Sequence, residues 1–150
     1  RAGVHRPRAL GEGRARSRDG VSRAVVANGE VWTLDDYRRC REVTGCADVM
    51  IGRGAVADPL LARRIKRYQS GATEPCDPRQ EWEEVRKMLE QFWRRLPEKM
   101  APRYAPGRIK MWLRSLCDGY AQAEPLYREV RLHGNVTAID HVLSQAGVGG

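Results

Sequence analysis

The sequence predicts an α/β segment followed by an all-α one, and three observations predict it. Two short apolar runs of β type, residues 24–27 and 47–51, flank one helix-period segment from Leu34 to about Thr44. Each run ends in a small-residue turn, Asn28-Gly29-Glu30 after the first and Gly52-Arg53-Gly54 after the second. From residue 77 onward apolar residues recur at three- and four-residue steps and no β-type run appears. The first part therefore reads as a βαβ unit with its glycine turns at the C-terminal ends of both strands, where α/β proteins place ligands. Glycine lets backbone N–H groups approach a phosphate with no Cβ in the way, and the positive end of a following helix adds to the attraction.

Each element has its own local reason. Residues 24–27 are wholly apolar with β-branched Val25 and Val26 at the centre, which suits a parallel strand buried on both faces. Thr33 is placed to cap the helix that follows, with Asp36 three residues on and Asp35 beside it, and Gly45 supplies the stop. Cys40 falls on the apolar side of that helix as a small hydrophobe. After the second strand, Asp58 and Pro59 stand as cap and first-turn proline of a helix to about Tyr68. Residues 69–76, QSGATEPC, have the composition of a linker.

Asp77 opens a longer helix, with Gln80 at the capping-box position, in which Trp82, Val85, Met88, Leu89, Phe92, Trp93 and Leu96 form one stripe. Two tryptophans on a stripe can stack bases, but this period is that of a core-facing helix. Residues 97–106, bounded by prolines, break the pattern. The next helix, about 107–119, puts Ile109, Trp112, Leu113, Leu116 and Tyr120 on one face. At 100° per residue, Lys110 and Arg114 stand on one flank and Arg108 on the other. Two short helices follow, about 125–132 and 136–146, the second capped by Asn135, and residues 147–150 form a fraying tail.

Composition narrows the class. An apolar share of 41% with 31% charged residues describes a globular chain, and 150 residues suffice for a real core. No apolar run approaches membrane-spanning length, and the basic start lacks the apolar segment of a signal peptide. The four cysteines, Cys40, Cys46, Cys76 and Cys117, form no C-x-x-C pair and sit near no histidine cluster, so no metal site is predicted and reduced thiols in a cytoplasmic protein are the simpler reading. The net charge of +8 is unevenly spread: residues 1–23 hold seven arginines against Glu12 and Asp19, leaving only +3 for the rest. Charge alone is thus a weak argument for nucleic-acid binding by the folded part.

A resemblance sharpens this. The pair ANGE-hydrophobic-W and VMIGRGA, separated by one helix, resembles the last two strands of the flavin barrel of the tRNA-dihydrouridine synthases. The downstream RIK-x-WL at residues 108–113 resembles the helical domain of that family, of its C-type members in particular. The match runs from about residue 24 to 146. It implies the last βα units of a TIM barrel (24–68), a linker (69–76) and a C-terminal α-helical bundle for tRNA recognition (77–146).

It also implies FMN as cofactor, its phosphate held by Asn28, Gly29, Glu30, Gly52 and Arg53. Glu30 would give its backbone N–H and turn its carboxylate away. NADPH is the implied reductant and tRNA the partner, contacted by Arg108, Lys110 and Arg131, in an enzyme that is a monomer at full length. Ser115 departs from the aromatic expected of C-type members.

The implied reaction is reduction of a D-loop uridine, position 16 by the C-type likeness, to dihydrouridine, with a loop cysteine protonating the ring. None of the four cysteines here matches that cysteine, so no catalytic residue is assigned and the chain reads as an incomplete enzyme, inactive alone. Residues 1–23, RAGVHRPRALGEGRARSRDGVSR, then read as a disordered basic leader or as a misread GC-rich frame, and no role is given to His5 or its arginines. Two alternatives stand beside this reading. One is a non-catalytic helical RNA-binding module with a vestigial barrel end. The other is a different FMN barrel oxidoreductase, which leaves RIK-x-WL unexplained.

Overall fold

The structure, a computed structural model, describes residues 14–16, 22–24, 26–72 and 77–147. The remainder of the predicted leader, the Val25 position, Cys76 with the rest of residues 73–76, and residues 148–150 lie outside the described residues. The chain divides into two compact units: Arg1–Ala55 with Leu61–Thr73, and Val56–Leu60 with Glu74–Gly150.

The first unit opens with two three-residue strands, β1 (Arg14–Arg16) and β2 (Ser22–Ala24), paired antiparallel with Ala15 opposite Arg23. This departs from a wholly disordered start, and an Asp19-Gly20 pair, a hairpin signal, lies between them in sequence. Ala24, expected in the first parallel strand, belongs to β2. That parallel strand is β3 (Val26–Asn28), and it pairs with β4 (Asp48–Met50) through Val26↔Asp48, Ala27↔Val49 and Asn28↔Met50. The crossover between them is α1 (Leu34–Thr44), with the predicted bounds.

The ends of α1 explain those bounds. Thr33 Oγ1 accepts from Asp36 N at 3.1 Å, and Asp36 Oδ2 accepts from Thr33 N at 2.9 Å, a complete capping box. Gly45 takes the left-handed backbone, φ 66°, and its N–H reaches Arg41 O at 2.8 Å. Tyr37 and Cys40 of α1 pack with Ala27, Val31, Cys46, and with Leu61 and Ile65 of α3 (Leu61–Gln69), into a small core.

Only one face of the parallel pair is covered. Ala27 and Val49 point to the core, whereas Val26, Asn28, Asp48 and Met50 are exposed, Met50 by 54%. Burial on both faces was expected of so apolar a run. Side chains alternate across a strand, and the helices of this unit lie on one side only.

The second unit is helical: α4 (Pro78–Lys99), a single 3-10 turn (Pro102–Tyr104), α5 (Ala105–Leu116), α6 (Ala123–Val130) and α7 (Val136–Gln145). The stripe of α4 is core: Val85, Leu89, Trp93 and Leu96 are buried, with Trp82, Met88 and Phe92 packed against them. Trp93 Nε1 donates to Asp140 Oδ1 at 3.0 Å, which settles the polar end of a buried indole. Asp77 caps α4 by accepting from Arg79 N at 2.9 Å.

Two prolines act otherwise than predicted. Pro97 lies inside the last turn of α4, which continues to Lys99; its missing N–H withholds one intrahelical bond, to the carbonyl four residues before it, and the residues after it still complete the turn. Pro106 opens α5 two residues early, in the first turn, where a missing N–H costs nothing.

Residues 56–60, placed on sequence grounds with the first part, cluster with the helices. Trp112 Nε1 donates to Val56 O at 3.0 Å, and Tyr120 Oη donates to Asp58 Oδ1 at 2.7 Å. Leu60 lies in the helical core. Gly119 is needed for this approach, since a Cβ there would stand 2.8 Å from Ala57 O. These pairings span more than fifty residues, beyond the reach of composition or periodicity.

Candidate functional site

The parallel register puts the two glycine turns at one end of the sheet. Asn28 closes β3 directly opposite Met50, the last residue of β4, so Gly29-Glu30 and Gly52-Arg53 leave the strands side by side. The second turn enters α2 (Arg53–Ala57), a helix of five residues missed at the sequence level, with Ala55 N bonded to Gly52 O at 3.1 Å.

The glycine that brings the turns together is Gly54. A Cβ on it would lie 1.9 Å from Val31 O and 3.0 Å from Trp32 Cα, so the two backbones approach closer than any other residue permits. Gly52 is different. It is exposed, and a Cβ there would meet nothing within 4 Å, which leaves its backbone open to solvent.

Arg53 spans the gap between the turns. Its Nη2 is paired with Glu30 Oε1, and its guanidinium sits 5.5 Å from the Trp32 ring centroid. Glu30 Oε2 also accepts from Trp32 Nε1 at 2.8 Å. The Glu30 carboxylate thus turns to the guanidinium and the indole N–H, each of which offers it a donor. Trp32 enters the sequence reading only as the last residue of the ANGE-hydrophobic-W motif and is given no part in the site there, although its position two after Glu30 is the available signal.

None of the described cysteines is hydrogen-bonded to Glu30, Trp32 or Arg53. Cys40 and Cys46 are buried in the first core, and burial, with the Cys46 thiol beside it, raises the pKa of Cys40. Cys117 donates to Leu113 O at 3.2 Å within its own helix. Its pKa is pushed up to about 11, first by burial and then by its hydrogen bond with Glu124. It is a protonated thiol at neutral pH. Among the described residues no cluster of three metal-ligating side chains occurs, and no helix is long and apolar enough to cross a membrane.

In the second unit, RIK-x-WL divides into packing and surface. Ile109 and Leu113 are fully buried, and Trp112 packs edge-on against Phe92 with ring centroids 4.8 Å apart. Arg108 is exposed in the first turn of α5, Lys110 is half-buried on the opposite flank, and Arg131 is exposed at the C-terminal cap of α6. Among the described residues none of the three is paired with a carboxylate. Their neighbours are: Arg114 meets Asp118 at 3.5 Å and Arg128 meets Glu124 at 2.9 Å.

The sequence profile of the family described as Dihydrouridine synthase (Dus) matches residues 16–142, most of the chain. This chain belongs to the dihydrouridine synthase family. Among curated relatives, it is 46% identical to the tRNA-dihydrouridine(16) synthase of Aquipseudomonas alcaligenes over 140 residues, covering 93% of this chain and 44% of that protein. It is 41% identical to the enzyme of the same name from Pseudomonas putida, over 93% of this chain and 42% of the relative. The corresponding protein of Escherichia coli O157:H7 is 34% identical over 94% of this chain and 41% of its own length. The chain therefore spans less than half the length of these relatives. Dihydrouridine synthases are flavin-dependent oxidoreductases with a TIM-barrel-type fold, and a parallel strand pair joined by one crossover helix fits consecutive strands of such a barrel.

Proposed function

We propose that this chain forms the cofactor-phosphate and RNA-binding part of an FMN-dependent, NADPH-using tRNA-dihydrouridine synthase. That enzyme would be cytoplasmic and monomeric, and would reduce uridine 16 of the tRNA D-loop. One observation carries the proposal: the parallel register, with Gly54 closing the approach, puts Arg53 between the two turns at the C-terminal end of the strands. In this reading residues 24–68 end the barrel and residues 77–146 form the tRNA-recognition domain.

The residues suit a phosphate. Gly52 presents backbone without a side chain, and Arg53 carries donors in a fork matched to phosphate oxygens. Glu30 competes for that fork, but the pair is largely exposed, at 74% and 41% of the two side chains. Exposed ion pairs contribute only about 0–1 kcal/mol, so a dianionic phosphate displaces the carboxylate at small cost. When bound, FMN supplies the hydride for the uracil ring. Asn28, Gly29, Glu30, Gly52 and Arg53 hold its phosphate end, and Arg108, Lys110 and Arg131 hold the RNA backbone. No catalytic residue is assigned within these 150 residues.

A grafting experiment tests this. The matching segment of the Aquipseudomonas alcaligenes enzyme is replaced by this chain, and dihydrouridine at tRNA position 16 is measured together with retained FMN. The graft is expected to make dihydrouridine, and its Arg53→Ala variant to retain about tenfold less FMN, in line with removal of one charge-assisted hydrogen bond. The ungrafted chain is expected to bind FMN more weakly than micromolar in a fluorescence titration. A folded graft that keeps FMN equally well with and without Arg53 sinks the phosphate site. Micromolar binding by the chain alone would mean that the two turns suffice.

A further inference from the structure

We propose that the pocket at the start of α5 receives one unpaired nucleobase of the RNA partner, an inference that rests on the RNA-binding role given above to the second unit. The pocket has a volume of about 240 Å³ and is lined by Met100, Tyr104, Gly107, Arg108 and Met111. That is below the roughly 300–1,000 Å³ of a complete small-molecule site, so it suits a single ring system belonging to a larger ligand.

Its chemistry is that of a stacking platform. Tyr104 is 55% exposed and Met111 64%, and both line the same pocket, so they present an aromatic ring and a thioether to the solvent side by side. Arg103 holds the tyrosine in place, its guanidinium 4.7 Å from the ring centroid and its Nη2 donating to Tyr104 Oη at 3.0 Å. The backbone that carries the ring is held by the 3-10 turn, where Tyr104 N bonds Ala101 O at 2.9 Å. Gly107 leaves the wall open, because a Cβ there would meet nothing within 4 Å.

The charge around the pocket selects a polyanion over a protein surface or a second copy of this chain. No acidic side chain lines it, and among the described residues neither Arg103 nor Arg108 is paired with a carboxylate. Single-stranded nucleic acid is bound by this combination, in which aromatic rings stack bases and flanking cations meet the phosphates. Arg108 thereby serves both the phosphate backbone and the edge of the base pocket.

The test uses the full 150-residue chain with two probes: an unmodified tRNA transcript, and heparin as a polyanion without bases. Two variants are compared with the parent. Tyr104→Ala removes the platform. Gly107→Leu plugs the pocket from a position with open space, and it replaces a helix-weakening glycine, so loss of folding does not explain its effect. Both are expected to weaken tRNA binding about tenfold at every salt concentration, without changing the slope of log K against log salt, and to leave heparin binding as it was. That pattern separates stacking from counterion release.

Unchanged tRNA affinity in both variants overturns the pocket, while leaving the phosphate-binding cations to be judged by the Arg108, Lys110 and Arg131 variants. Equal losses for tRNA and heparin overturn it as well, since they would trace the effect to charge. Self-association of the parent chain that either variant abolishes would assign the pocket to a second copy instead. A parent chain with no tRNA affinity beyond its heparin affinity overturns both the pocket and the RNA reading beneath it.

Discussion

Replacing Arg108, Lys110 and Arg131 together by Ala is expected to weaken tRNA binding at low salt by roughly tenfold or more. It should also flatten the slope of log K against log salt by about two to three units, somewhat under one for each phosphate no longer neutralised. The three cations are the appropriate targets because none is neutralised by a carboxylate among the described residues, whereas Arg114 and Arg128 are. Their exposed or half-buried positions on helix flanks suit the RNA backbone, with Arg108 also bordering the base pocket. The seven arginines of residues 1–23 are present in every variant, so any attraction of theirs for a polyanion is common to all of them. A control with Arg94→Ala and Arg95→Ala removes two charges from α4, where Arg94 is already paired with Glu90 at 2.7 Å. Per charge removed, an equal loss in the control would mean diffuse electrostatics, and the assigned surface would be wrong.

Gly54→Ala is expected to destabilise the first unit by about 1–3 kcal/mol, the usual cost of forcing a methyl into a packed site. The new methyl would have to displace backbone, Val31 O at 1.9 Å and Val31 C at 2.9 Å, and neither can swing aside as a side chain would. The start of α2 must then retreat from the Val31–Trp32 segment, taking Arg53 away from Glu30 and from the Trp32 ring. Gly52→Ala, two residues earlier, has open space and is expected to shift stability by no more than about 0.5 kcal/mol. Denaturant midpoints of the two variants, followed through Trp32 fluorescence against the background of the other three tryptophans, distinguish them. Similar midpoints would show that the close approach at Gly54 is not what joins the turns.

The contrast between these two glycines shows where sequence reading reached its limit. A glycine-arginine-glycine turn after an apolar run is visible in the chain itself, as is its likeness to a phosphate-holding turn. Which glycine is required is set by Val31, more than twenty residues away. The ion pair of Arg53 with Glu30 likewise spans 23 residues. It gives the Glu30 carboxylate two donors, the Arg53 guanidinium and the Trp32 indole N–H, that a reading of the sequence alone does not pair with it.

The helices were legible for the opposite reason. Their hydrogen bonds close within four residues, and their buried faces repeat every three or four, so capping residues and periodicity carry the information locally. Thr33, Asp36 and Gly45 therefore bounded α1 correctly, and Asn135 accepts from Ala138 N at 2.8 Å as a cap should. Pro97 and Pro106 were misread because proline alone does not say whether it stands in a helix's last turn or its first. The neighbouring donors and acceptors decide that.

By itself, then, the sequence determined α1 and the parallel strands on either side of it, the helices from α3 onward, the apolar stripe of α4 and the family, but not β1, β2 or α2. All of these follow from residues adjacent in the chain or spaced by a helical or strand period. Only the tertiary structure decided that residues 56–60 belong with the helices through Trp112 and Tyr120, and that one face of β3 and β4 stays exposed. It also decided that Arg53, Glu30 and Trp32 form one cluster, and that Tyr104 and Met111 border a pocket beside Arg108. Apart from the pocket, whose lining lies within residues 100–111, each of those depends on groups brought together from distant positions, and their interaction energies leave no periodic trace in the order of the residues.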